Sequence, residues 1–284
     1  MPSGYLAGFE RAFIGLTDIT TGATTGITSS LANGASSSPY MLSAVKTANV
    51  APTPITDLEI QGGDAIRASI SFGNQKLKQF QLIVSNYDTA VVSLVNGGTI
   101  NTTNTQYTVG SENPMRQIPR QMFVALQQRY TLPNSTGQQY FTRIMPNCQV
   151  RLHEGGFAYQ GESDTVLDVT PNPTNVDITG ASFGVSGLNL GLQDNLTDNY
   201  FLISTNPIAF TAFRQDGTIT SFTTPYAPTN TTVTLNATTN AFYVNGVATA
   251  LTSITTAGVA TLAAAGTAGV LDVLIYQTLS VPTT

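Results

Sequence analysis

The stretch Ile55-Thr56-Asp57-Leu58-Glu59-Ile60-Gln61-Gly62-Gly63-Asp64-Ala65-Ile66-Arg67-Ala68-Ser69-Ile70-Ser71-Phe72 decides the fold class. Leu58 and Ile60 alternate with Asp57, Glu59 and Gln61, and a period of two is that of a half-buried strand. Gly62-Gly63-Asp64 supplies a tight reversal, after which Ile66, Ala68, Ile70 and Phe72 alternate with Arg67, Ser69 and Ser71. The pair reads as an antiparallel hairpin. Beyond the polar turn Gly73-Asn74-Gln75, Phe80, Leu82 and Val84 stand opposite Gln79, Gln81 and Ser85. A third strand is therefore expected in the same sheet, with one apolar face and one polar, lightly charged face.

Toward the C-terminus the period changes. Tyr87, Val91, Leu94 and Val95 are spaced for one side of a short helix, with Asn86 as a cap and Gly97 or Gly98 as a stop. Met122, Val124 and Leu126 then alternate with Gln121, Phe123, Ala125 and Gln127. That run is also rich in helix formers. A strand is preferred because Leu132-Pro133-Asn134-Ser135-Thr136-Gly137 makes a hairpin loop into Tyr140-Phe141-Thr142-Arg143-Ile144-Met145. Pro146 to Leu152 and Thr165 to Pro171 fit two more strands, the last closed by its proline. Further short apolar runs, Tyr200 to Ile203 and Ile208 to Phe210, precede a Pro/Thr linker around residues 223–230.

Three units are expected. Residues 1–54 are rich in Thr, Gly, Ser and Ala and carry too few bulky side chains for a core of their own, so they read as an extended arm or long loop. Residues 55–225 form the main domain. Residues 226–284, with the hairpin signal Asn245-Gly246, read as a small β module. The fold class is mainly β: two packed antiparallel sheets, as a sandwich or barrel, with one short flanking helix.

Composition narrows the function. Of 284 residues 41% are hydrophobic, enough for a real core, but only 10% are charged, against roughly 25% in ordinary domains. A surface built from Thr, Ser, Asn, Gln and Gly offers little repulsion between copies. The net charge of −5 comes from 11 basic and 16 acidic side chains, with no basic run. Tight phosphate binding needs clustered Lys and Arg and is disfavoured. Cys148 is the only cysteine and His153 the only histidine, so a His/Cys metal site and an intrachain disulfide are excluded. Cys148 is expected to be buried.

His153 lies in a turn-like Glu154-Gly155-Gly156 context without a nucleophile elbow elsewhere and reads as a surface or packing residue. Glu162, Asp164 and Asp168, like Asp57 and Glu59, read as solvated strand faces. No enzyme and no cofactor are expected. The start of the chain lacks a signal-peptide pattern, and no stretch approaches the roughly 20 apolar residues of a membrane span.

The order of features resembles one family. A Gly-Gly-Asp hairpin within Ile55 to Phe72, a strand running into a short helix near Asn86 to Gly98, a hairpin ending in Ile144-Met145-Pro146-Asn147-Cys148-Gln149-Val150-Arg151, and the exit Leu167-Asp168-Val169-Thr170-Pro171-Asn172-Pro173-Thr174 together resemble the major tail proteins, or tail tube proteins, of tailed bacteriophages. The likeness covers about residues 55–175. The end module around Phe242-Tyr243-Val244-Asn245-Gly246-Val247 looks like the small immunoglobulin-like or hairpin modules appended to phage structural proteins. The long N-terminal arm and the extensive Thr/Ala-rich end depart from minimal tube proteins.

The resemblance implies homo-hexameric rings that stack into the tube conducting viral DNA, in a virion tail made in the host cytoplasm. The partners implied are further copies of the chain and other tail proteins, with DNA passing without tight binding and no membrane involved. Six copies at −5 each sum to about −30, and a neutral or negative wall would not hold DNA. On this reading Asp57, Glu59, Gln61, Arg67, Ser69, Ser71, Gln79 and Gln81 line the lumen; an ordinary outer surface is the other reading of the same face. A capsid decoration or baseplate protein and a surface adhesin or lectin-like module are the competing classes.

Overall fold

The computed structural model describes residues 5–16, 36–37, 39–42, 45–48, 56–62, 65–72, 79–85, 91, 94–95, 99–101, 106–108, 121–131, 137–153, 164–171, 200–229, 231, 241–244, 247–249, 251–269 and 271–278. The chain is mainly β. Its strands run β1 (Tyr5–Leu16), β2 (Ser36–Ser37), β3 (Tyr40–Leu42), β4 (Val45–Ala48), β5 (Thr56–Gly62), β6 (Ala65–Phe72), β7 (Phe80–Val84), β8 (Thr99–Asn101), β9 (Gln106–Thr108) and β10 (Gln121–Thr131). They continue with β11 (Gln138–His153), β12 (Thr165–Pro171), β13 (Tyr200–Ser204), β14 (Ile208–Arg214), β15 (Ser221–Thr223), β16 (Ala241–Val244), β17 (Val247–Thr249), β18 (Leu251–Ile254), β19 (Val259–Leu262) and β20 (Leu271–Gln277).

The largest sheet has the order β3-β1-β10-β11-β12-β7-β4, with β13 paired to β11 as an eighth strand. It curls until β4 lies against β1. Inside the curl sits one apolar core: Ala12 and Ile14 from β1, Phe80, Leu82 and Val84 from β7, Met122, Val124 and Leu126 from β10, and Leu167 and Val169 from β12. Val91, Leu94 and Val95 are helical and pack into this core, which agrees with the expected helix; Asn86, Tyr87, Gly97 and Gly98 lie outside the described residues.

Both faces of β10 are buried. Its Phe123 and Ala125 point to the opposite side, where they meet Phe13 of β1, Ile144 of β11 and the apolar residues of β14 and β20 in a second core. Phe210 is its hub, with Phe13 and Phe123 edge-on at 5.3 and 5.2 Å between ring centroids, and such pairs add about 0.5–1.5 kcal/mol beyond area burial. The layer that covers this side consists of a five-stranded sheet, β17-β16-β20-β14-β2, and a three-stranded sheet, β15-β19-β18. Phe222 of β15 stacks on Phe213 of β14 at 4.9 Å and ties the two together.

Bulges set which side chain reaches which core. In β11 the register passes from Met122↔Cys148 to Val124↔Met145, so three β11 steps match two on β10. Pro146 sits inside this irregularity, where its missing N–H costs no ladder bond. The slip puts Met145 and Cys148, an odd number of residues apart, in the same core. What reads as two strands around Pro146 is thus one continuous strand, and Cys148 is buried within it, as expected.

Three expectations are corrected. Tyr5 to Leu16 is not arm or loop but an inner strand, paired to β10 on one side and β3 on the other. Nor does the structure divide at residue 225/226. β20 pairs in register with β14 from Ile208↔Gln277 to Arg214↔Leu271, and β15 pairs β19, so the supposed end module and the supposed main domain share sheets and a core. The physical cause is that Phe210, Leu274 and Ile275 bury in one cluster with Phe13, Phe123 and Ile144 of the large sheet. Finally, β7 does not extend the β5–β6 sheet. It lies between β12 and β4, because Phe80, Leu82 and Val84 belong to the core that Leu167 and Val169 line. Among the described strands, β5 and β6 pair only with each other.

Candidate functional site

The eight residues expected on one polar face are shared between two sheets. Along β5–β6 the register is Asp57↔Ser71 and Glu59↔Ser69, so these four form a continuous cross-strand polar row. The ladder then slips from Ile60↔Ala68 to Gln61↔Ile66. Arg67 is the extra residue of this bulge, and Gln61 is opposite an apolar residue instead of Arg67. The side chains of β5 and β6 lie outside the described part of the structure. Gln79 and Gln81, the remaining two, are exposed at the start of β7 in the large sheet.

There the alternation of β7 and β12 builds a second polar surface. Inward residues Phe80, Leu82, Leu167 and Val169 leave Gln81, Ile83, Val166 and Asp168 on the outside. Gln81 stands opposite Asp168, and Asp168 opposite Arg151 of β11. Gln81 Nε2 donates to Asp168 Oδ1 at 3.2 Å. His153 Nδ1 lies 3.1 Å from Asp168 Oδ2. The carboxylate, 21% exposed, is thus held from both sides, while the imidazole remains 50% exposed. Beside it an open groove of about 500 Å3 is lined by Thr47, Gln79, Phe80, Gln81, Ile83 and Asp168. Lys46 Nζ contacts both oxygens of Asp164, at 2.8 and 3.1 Å.

Sequence reasoning placed Asp164 and Asp168 correctly on an outer strand face and His153 at the surface; Glu162 lies outside the described residues. It did not bring His153, Asp168 and Gln81 together. The alternation of Thr165 to Pro171 marks Asp168 as outward, but pairing of β12 with β7, more than eighty residues earlier, leaves no local signal. No group of three His, Cys, Asp or Glu side chains able to hold a metal occurs among the described residues.

A third polar cluster is buried. Glu10 is the extra residue between Phe9↔Gln128 and Arg11↔Gln127, and this bulge turns Arg11 to the side of the second core. Arg11 is 1% exposed. Its Nη1 donates to Thr278 Oγ1 at 2.8 Å, joining residues 267 apart, and lies 3.5 Å from Met41 Sδ. Burial pushes the guanidinium pKa down, and the neighbouring Glu10 carboxylate opposes that shift. Glu10 Oε2 accepts from Arg129 Nε at 3.0 Å. Next in the row, Gln127 Nε2 donates to Thr142 Oγ1 at 2.8 Å. These groups close one end of the second core and are structural in position, since none opens to a cavity described here.

Comparison with protein-family models, curated proteins and solved structures gives no match for this chain.

Proposed function

We propose that the chain is a structural subunit of a phage tail tube, assembling as stacked hexameric rings whose channel passes DNA. The observation that carries the reading is the sequence order of a hairpin, a strand running into a helical turn, a long hairpin and an exit strand, on a chain with 10% charged residues. The fold is compatible with it in a specific way. β7 and β12, the second and last elements of that order, pair side by side, and the helical residues Val91 and Val95 pack into the core that both strands line.

Two features support a role in self-assembly. The weakly charged surface opposes association little, and among the described strands β5 and β6 pair only with each other, leaving outer edges of the kind that ring closure would remove. In this reading the Asp57, Glu59, Ser69 and Ser71 row is the part of the expected lumen face that stays together. Its two carboxylates would repel the DNA backbone instead of binding it.

Electron microscopy of the purified full chain tests the proposal. Stacked rings with a central channel are expected. Monomers or discrete trimers that attach to capsids would replace it with a decoration role, and binding to cell surfaces without rings would favour an adhesin.

A further inference from the structure

We infer that the groove on the outer face of β4, β7 and β12 is a binding site for a neutral, hydroxyl-rich ligand, a saccharide, with Asp168 as the central acceptor. This goes beyond the tube reading and does not depend on it.

Thr47, Gln79 and Gln81 bring one hydroxyl and two carboxamides, and Asp168 brings one carboxylate, beside the outward Ile83. Carboxamides donate and accept at once, and a carboxylate accepts from two hydroxyls, a set that matches vicinal hydroxyl groups. Other ligand classes fit worse. A phosphate or nucleic acid would meet the Asp168 charge inside the groove, and no cationic side chain is among the described lining residues to offset it. A divalent cation would find a single carboxylate. A wholly apolar ligand would exclude water from Thr47, Gln79, Gln81 and the Asp168 carboxylate without replacing the hydrogen bonds that water makes to them.

The groove is also preorganised. Asp168 is fixed by Gln81 Nε2 at 3.2 Å and by His153 Nδ1 at 3.1 Å, so little side-chain freedom remains to be lost on binding. The volume of about 500 Å3 falls within the span of about 300–1,000 Å3 typical of ligand sites. The groove rests on the walls of a packed core, since Phe80, Leu82 and Leu167 are all buried behind it, and a site on rigid strands keeps its geometry.

The test uses the full chain and a panel of neutral oligosaccharides that includes maltoheptaose and chitohexaose, with polygalacturonate as an acidic comparison. Saturation-transfer NMR and titration calorimetry should detect binding of at least one neutral glycan. Asp168→Asn and Gln81→Leu should each weaken it about tenfold or more, with unchanged circular dichroism. Ser221→Ala, on the exposed side of a different sheet, should leave it unchanged. Absence of binding across the neutral panel, preference for polygalacturonate, or affinity insensitive to Asp168→Asn would overturn the assignment. Ring formation seen by electron microscopy is a separate readout, so failure of one proposal is distinguishable from failure of the other.

Discussion

Arg11 shows how costly single residues shape this protein, because a guanidinium is held inside the molecule where burial alone opposes its charge. It is accompanied by Tyr276, whose hydroxyl accepts from the Tyr226 amide at 3.4 Å. Burial raises the Tyr276 pKa to about 12, against the weaker lowering effect of hydrogen bonds from Thr211, Tyr226 and Thr224. An unfolded tyrosine titrates near 10, so the folded state holds its proton over a range in which the unfolded state has lost it. The stability linked to this group is complete below about pH 10 and declines as pH rises toward 12, by about 2–3 kcal/mol in all. Denaturant titrations between pH 9 and 12 should show that decline, and it should be reduced in Tyr276→Phe. Gly258 is a second special position. Its φ of 86° is in the left-handed region, and an added Cβ would lie 2.7 Å from Thr224 Oγ1 and 3.0 Å from the Thr224 carbonyl oxygen. Because the Thr224 amide already donates to the Gly258 carbonyl at 2.7 Å, the backbone has little room to yield. Gly258→Ala should cost about 2 kcal/mol or more, read as a lowered Tm.

At the scale of elements, β1 and the β5–β6 hairpin make opposite cases. β1 carries Phe9-Glu10-Arg11-Ala12-Phe13, a segment whose alternation fails if read straight through. The bulge at Glu10 restores it, leaving Ala12 and Ile14 in one core and Phe13 in the other. Two buried charged residues in a row hid an inner strand. In β5–β6 the pattern was plain and the hairpin is present, yet the pattern contained nothing about which sheet the hairpin joins. Its proposed role is tested by charge reversal. Replacing Asp57 and Glu59 together with Lys should leave rings intact but lower infectivity by impairing DNA passage, since the row would then attract phosphates. Plaque counts equal to those of the unaltered phage would remove this row from the channel.

For the whole molecule the consequence of sharing a core is cooperativity. Phe13, Phe123, Ile208, Phe210, Leu262 and Leu274 belong to one buried cluster although they come from all along the chain. A chain ended at residue 225 would lose β16 to β20 and uncover Phe13, Phe123 and Phe210, far more than the roughly 3–5 kcal/mol of a single Phe→Ala core truncation. It should therefore lack a cooperative thermal transition by circular dichroism, whereas the intact chain should melt in one step. A truncated chain that melts cooperatively near the intact Tm would restore the idea of an appended module. Local sequence pattern was enough to read that the chain is β, where the β5–β6 hairpin turns, that β10 is a strand, that Val91 and Val95 share a helical face, and that charged residues are few. These properties are local, written in periods of two or 3.6 and in composition. Only the tertiary structure decided that β1 is interior, that β20 completes a sheet with β14, and that His153, Asp168 and Gln81 meet at one groove. Each of these depends on pairing between distant strands, which is selected by burial of both faces of β10 and not by any neighbouring residue.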